Sequence, residues 1–415
     1  MQQIVSAGDR LMLYENYQIQ DDLISPWRAM AKNFQSALSG MNWGLPDSWK
    51  TKLSAGMELF SRFEITHTRP EFGINSVTVG NREVAVTTET VLDLPFGKLL
   101  RFAKDIDTRQ PRVLVLAPLS GHFATLLTGT IKTLLRDHEV FVTDWANARD
   151  VSLAHGKFGM DDYVTYIIRF LEEVGPKAHL VAVCQPCVQA LAAVAVMSED
   201  HHPATPLSMT LMAGPIDPRQ NPTAVNKFAL EKPIEWFQGT LISQVPERFA
   251  GAGRRVYPGF VQLNAFIAMN MQRHQAAHRR LYDHLAAGEI AEANKIKHFY
   301  DEYFAVLDLT EEFFLETVDR IFQKAELATG DLTYLGRKID PRSIRKTGLL
   351  TVEGGRDDIC ALGQTAAAHD LCVSLRPHLR RHHLQANVGH YGVFSGKRWD
   401  KEIYPVLRNF ILSVE

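Results

Sequence analysis

The alternation of apolar and polar positions changes character twice along the chain. Over the first seventy residues, apolar and aromatic side chains recur at helical spacing (Leu11, Leu13, Tyr14, Tyr17, then Trp27, Met30, Phe34, Leu38), which predicts helices without evident catalytic content. INSVTVGNREVAVTTETV comes next, two alternating segments around Gly80-Asn81. That pair tolerates positive φ, so a β-hairpin is expected. From there short β-branched runs alternate with amphipathic stretches: RVLVLAP, EVFVTDW and HLVAVC, with helices starting near Ala124, Met160 and Pro186, then LSMTLMAG, GLLTVEG and HHLQANVGH. Runs that are apolar on both faces belong to parallel strands covered by helices. Together with the hairpin they predict a mostly parallel sheet of about eight strands.

Between the sixth and seventh of these strands the pattern turns mostly helical over residues 216–345, rich in aromatics and broken by Pro and Gly. An insertion there is expected to form a cap over the C-terminal edge of the sheet, where open α/β sheets bind ligands. The predicted organisation is an N-terminal helical segment (1–70), an α/β core (71–215 and 346–415) and a helical cap (216–345).

Composition narrows the function classes. The 415 residues are 46% hydrophobic and 22% charged, enough for a large core, and a net charge of -2 gives no global reason to expect nucleic acid as a partner. No run of 18 apolar residues predicts a transmembrane segment, and MQQIVSAGDRLMLYENYQIQDD lacks the basic, apolar and small-residue succession of a secretory signal. A cytoplasmic location is therefore expected. The four cysteines, Cys184, Cys187, Cys360 and Cys372, then read as reduced thiols.

Candidate chemistry begins at VAVCQPCVQA (181–190). Structural zinc needs about four ligands, and no second CxxC or HxxxH accompanies this pair. A redox pair at a strand-to-helix junction is chemically sound, yet it leaves most of the chain without a purpose. Cys187, inside the helix, reads as a small buried hydrophobe. Cys184 stands at the junction itself, and AVCQP (182–186) has the form of a nucleophile elbow, with Ala182 and Pro186 in place of the usual glycines and cysteine in place of serine.

An α/β-hydrolase then predicts an acid and a histidine, in that order, on loops after late strands. GLLTVEGGRDD supplies Asp357, with Asp358 as near rival, and QANVGHYGVFSG supplies His390. Asp217 is a distant third candidate and reads better as a loop or cap residue, while His382 and His383 lie at the wrong end of their strand. An oxyanion hole needs two N–H donors, expected from Gln185 and from Leu119 or Ser120 in APLSGHFATLL, where Gly121 and His122 shape the turn.

With these motifs in hand the sequence resembles the intracellular polyhydroxyalkanoate (polyhydroxybutyrate) depolymerases. The resemblance is carried in order by LMLYENYQIQDDLISPWRAMA, VLAPLSGHFATLL, VFVTDWANARDVSLAHGKFGMDDYV, VCQPCVQA, FAVLDLTEEFFLETV, TVEGGRDDI and NVGHYGVFSG. It implies a cysteine nucleophile at Cys184, an acid at Asp357, a base at His390 and an intracellular polyester granule as substrate. It implies no cofactor or metal, with water or coenzyme A as acyl acceptor. The related polymer synthases keep glycines around their cysteine, so Ala182 and Pro186 favour the depolymerase side.

In the cap, FVQLNAFIAMNM offers adaptable apolar surface, making Phe260, Phe266, Met269 and Met271, together with Trp236, candidate substrate contacts. A synthase-like acyltransferase using the same triad and a CxxC thiol-disulfide oxidoreductase are the alternatives. Oligomeric state stays open, a homo-oligomer included.

Overall fold

The computed structural model describes residues 7–40, 46–62, 64–106, 109–269 and 271–415. Nine strands form the main sheet: β1 (Ser76–Val79), β2 (Arg82–Leu94), β3 (Gly97–Lys104), β4 (Arg112–Leu116), β5 (Glu139–Trp145), β6 (His179–Val183), β7 (Ser208–Met212), β8 (Gly348–Gly354) and β9 (Arg380–Gln385). Their spatial order is β1-β2-β3-β5-β4-β6-β7-β8-β9. The pairings β1–β2, β2–β3 and β3–β5 are antiparallel, and every other pairing is parallel.

The buried strands read as continuous apolar runs because both faces are covered. Every residue of β6, β7 and β8 is buried, whereas the edge strand β9, RRHHLQ, exposes basic and polar side chains that blunt its free edge. The expected hairpin turns at Gly80-Asn81, with Gly80 at φ +58°.

The sheet has one strand more than the sequence pattern predicts. In β3, GKLLRFAK, the buried Leu99, Leu100 and Phe102 are interrupted by Arg101 and flanked by Lys98 and Lys104, which break the apolar run. Pairing rescues the strand: Arg101 meets Glu139 of β5 at 2.7 Å. The cap therefore enters after the seventh strand of the sheet.

Before β4 lie two helices, α1 (Ala7–Gly40) and α2 (Asp47–Arg62); α3 (Thr128–Leu134), α4 (Met160–Val174) and α5 (Cys187–Glu199) cover the sheet. Ten of the first eleven positions of α5 are apolar and all eleven are buried, so this helix has no polar face for a periodicity argument to find. The side chain of Leu11 lies outside the described residues.

The insertion contributes α6 (Ala224–Glu231), α7 (Ile234–Leu241), α8 (Gly259–Met269), α9 (Met271–Ala287), α10 (Ile290–Tyr303) and α11 (Glu311–Glu316). It is not purely helical: a three-stranded ribbon joins Ser243–Gln244, Arg255–Tyr257 and Leu309–Thr310.

The N-terminal helices pack on this cap. Tyr14 of α1 is fully buried, and its hydroxyl donates to the buried Asp308 at 2.6 Å. Tyr17 stacks on Phe260 of α8 with ring centres 3.9 Å apart.

Candidate active site

Cys184 follows β6 directly and sits at φ +67°, a left-handed conformation that costs a non-glycine residue on the order of 1–3 kcal/mol. The turn is over-determined by backbone bonds: Cys184 N–H donates to Met212 O of β7 at 2.8 Å, and Cys187 N–H donates to Cys184 O at 3.2 Å. Pro186, at φ -65°, stands just before α5, where its missing N–H has no intrahelical partner to lose. The effect is to lift the Cys184 side chain above the sheet at the N-terminus of a buried helix.

Of the four cysteines, Cys184 is the partly exposed one and the other three are buried. Cys187 points back into the core, its thiol 3.4 Å from Ala182 O, and burial holds its pKa far above the ordinary thiol range. Burial likewise pushes Cys360 up, and Cys372 to about 12. These three remain protonated thiols.

The acid turn after β8 and the histidine turn after β9 are zipped together by backbone. Gly355 N–H donates to Gln385 O at 2.8 Å and Arg356 N–H to Val388 O at 2.9 Å. Gly354 permits this approach, because a Cβ there would stand 2.6 Å from Val388 O. As a result, the buried carboxyl of Asp357 accepts from His390 Nδ1 at 2.8 Å. The other Asp357 oxygen accepts from the N–H groups of Ile359 (2.9 Å) and Cys360 (2.8 Å), leaving the carboxylate one orientation.

Asp358 is exposed, and the Asp217 carboxylate is occupied by Arg219 at 2.8 Å. The near rival and the third candidate therefore lie apart from His390. His382 and His383 stay in β9, bonded to Thr351 and Gln385.

Burial disfavours a charged His390, but the nearby Cys184 and the hydrogen bond to Asp357 outweigh it and raise the imidazole to about 10. Asp357 is thus hydrogen-bonded to His390, and Cys184 lies close to the same imidazole. The aromatic edges of Tyr391 and Phe394 pack on the imidazole, with ring centres 5.9 and 5.7 Å away. Burial raises the Tyr391 phenol, and the neighbouring Tyr303 and Cys184 add to this.

The loop after β4 brings Leu119, Ser120, Gly121 and His122 to this edge, and all of them are at least partly buried. Gln185 is buried beside Cys184, and both polar atoms of its side chain lack a partner among the described residues. His122 is tied to the cap, its Nε2 lying 3.2 Å from Tyr303 O, and burial lowers it to about 4.

The apolar cap residues divide. Phe266 faces the loop after β4, its ring 6.1 Å from that of His122. Phe260 is 4% exposed and packs on Tyr14 and Tyr17, so the structure puts it in the contact between cap and N-terminal helix instead of near Cys184. Trp236 stacks edge-on against Phe228 and Phe237, Met271 is exposed, and the side chain of Met269 lies outside the described residues.

Two open clefts, of about 800 and 660 Å³, lie elsewhere and include neither Cys184 nor His390. Among the described residues no cluster of His, Cys, Asp and Glu could hold a metal ion, and no helix is long and apolar enough to cross a membrane.

Residues 213–415, just under half of the chain, match the family described as "PHB de-polymerase C-terminus", and this segment includes the cap, Asp357 and His390. No curated protein matches the chain.

Among solved structures, a putative lipase from Acinetobacter baumannii AYE is 13% identical, covering 78% of this chain and 92% of its own with a TM-score of 0.42. Naproxen esterase from Bacillus subtilis is 12% identical, covering 88% and 99%, with a TM-score of 0.41. At such scores these likenesses are loose, and the fold rests on the strand order and crossovers described above. The chain has the α/β-hydrolase fold, and its residues 213–415 match the family described as PHB de-polymerase C-terminus.

Proposed function

We propose that this protein is an intracellular hydrolase that cleaves the ester bonds of poly(3-hydroxybutyrate) and related polyhydroxyalkanoates, using Cys184 as nucleophile, His390 as base and Asp357 as its orienting acid. One observation carries the reading: a cysteine in a left-handed strand-to-helix turn lies close to a buried histidine whose Nδ1 is held by a buried carboxylate at 2.8 Å. This is the nucleophile, base and orienter arrangement of covalent acyl transfer. The family match over residues 213–415 supports a polyester as substrate.

In this mechanism His390 takes the Cys184 proton and the thiolate attacks the ester carbonyl. The oxyanion accepts hydrogen bonds from the Gln185 N–H and from Leu119 or Ser120 N–H. Collapse breaks the C–O bond, and His390 gives its proton to the departing alkoxide, leaving a hydroxyacyl thioester on Cys184. Water, or the thiol of coenzyme A, then attacks that thioester and restores the thiol. Asp357 keeps the imidazole in the productive tautomer and stabilises its charged form.

A dithiol redox role is disfavoured by the burial of Cys187 and by the hydrogen bond that turns its thiol toward Ala182 O. We place the protein at the surface of cytoplasmic polymer granules.

Cys184→Ala is expected to abolish hydrolysis of amorphous polymer, a loss on the order of 10⁴-fold or more. The wild type should carry a hydroxyacyl adduct on Cys184, visible by mass spectrometry after exposure to polymer. Full hydrolysis by the alanine variant would remove this reading. Polymer formation from hydroxyacyl-CoA would turn it into a synthase.

A further inference from the structure

The two sides of the proposed site are held differently. Up to Ala117 the strand-end loop is bonded to the sheet: Ala117 N–H donates to Thr143 Oγ1 and Ala117 O accepts from Trp145 Nε1, both at 2.9 Å. Beyond that point its contacts pass to the cap. Gln262 of α8 donates from Nε2 to Ser120 O, Leu307 N–H donates to Gly121 O at 3.0 Å, and His122 meets Tyr303 O. Further along, Thr125 donates to the buried Glu302 of α10 at 2.6 Å.

Gln262 is the side chain that grips the peptide between Ser120 and Gly121. A peptide unit is planar, so fixing the Ser120 carbonyl fixes the direction of the Gly121 N–H and limits how the adjoining Leu119–Ser120 amide can rotate. Gly121 has φ +92°, and a Cβ there would lie 2.6 Å from Gln262 Oε1. The glycine is thus shaped to receive this one carboxamide. Leu307 and Tyr303 act through main-chain atoms, which side-chain substitution would leave in place.

We propose that Gln262 is a positioning residue for the oxyanion hole, and that the second N–H donor is held in register by the cap, not by the sheet. The inference rests on the triad reading above. A donor must stand about 2.7–3.1 Å from the oxyanion, and misplacement by about 1 Å costs on the order of 10²-fold in rate. The consequence is that the apolar substrate, by engaging or shifting the cap, controls assembly of the hole. Attack by Cys184 itself depends only on elements of the core.

The test uses the full chain, the soluble ester p-nitrophenyl butyrate, and the variants Gln262→Leu and Gln262→Glu. The expected result for Gln262→Leu is a fall in kcat of about 10- to 100-fold. KM should stay within about twofold, and the rate of Cys184 alkylation by iodoacetamide should not change. In Gln262→Glu the introduced carboxyl can donate to Ser120 O only when protonated. Its kcat relative to wild type at the same pH should therefore recover as pH falls through the carboxylate range, while that of Gln262→Leu should not.

Wild-type kcat in both variants would overturn the proposal. So would losses of kcat, alkylation rate and melting temperature in parallel, which would mean that Gln262 only holds the fold together. Hydrolysis surviving in Cys184→Ala would overturn the triad itself, a failure visible without any Gln262 variant.

Discussion

The Asp357–His390 side of the candidate site and the loop after β4 are built on different principles. Asp357 and His390 belong to turns zipped together at the ends of β8 and β9, with Gly354 admitting the contact and five hydrogen bonds fixing the carboxylate and its turn. Leu119 to His122 reach out from β4 and are caught by a cap glutamine, a cap backbone amide and a cap carbonyl. The first side is as rigid as the sheet. The second is as well placed as the cap, whose own anchorage includes the N-terminal helices through Tyr14 and Tyr17.

This contrast can be probed from the strongest effect downward. On the rigid side, Asp357→Ala should lower kcat by about 10³- to 10⁴-fold while Asp358→Ala changes it by less than about threefold. Steady-state hydrolysis of a soluble ester measures both, and equal losses would mean that the 2.8 Å contact to His390 is not the functional one.

The second effect is the pH dependence of stability. The folded state raises His390 from an ordinary value near 6.5 to about 10, so it binds more protons than the unfolded chain between those values. The contribution is complete below about pH 6.5 and is lost as pH rises through 10. Denaturation midpoints followed across this window should fall with pH in the wild type. In Cys184→Ala the slope should flatten, because one of the groups that raise His390 is gone and only Asp357 remains; an unchanged slope would break the coupling.

The smallest effect lies on the cap side. Thr125→Val leaves the carboxylate of Glu302 buried without its hydroxyl partner, and should cost about 1–3 kcal/mol of stability by denaturant titration. Should it be neutral, the Thr125–Glu302 contact carries no part of the cap's anchorage.

Cys184 and Cys187 show how far sequence reading reached. Their chemistry cannot be told apart from a CxxC spacing, yet the elbow pattern together with a late acid and a late histidine separated them, because the hydrolase chain order constrains where partners must fall. The parallel strands were legible for the same kind of reason: burial on both faces writes a continuous apolar run into β6, β7 and β8. Strand β3 escaped because Lys98, Arg101 and Lys104 interrupt its run, and only pairing with β2 and β5 makes it a strand.

Phe260 shows the limit from the other side. Its apolar character is plain in the sequence, but which apolar partner it meets depends on how α1 lies across the cap, and the sequence carries no periodicity for that. Gln262, Tyr303 and Glu302 are similar cases, since a single polar residue on a helix gives no signal that a loop more than a hundred residues away will meet it.

By itself the amino-acid sequence determined the layered α/β class and the identity of the strand-end turns, because these follow from local periodicity and from glycines and prolines that permit few backbone conformations. Only the tertiary structure decided that Asp357, not Asp358, meets His390, that Phe260 belongs to the seat of the N-terminal helix, and that the loop after β4 is held by the cap. Those outcomes depend on contacts between elements far apart in the chain, where shape and unsatisfied hydrogen-bonding groups select the partner and spacing along the sequence does not.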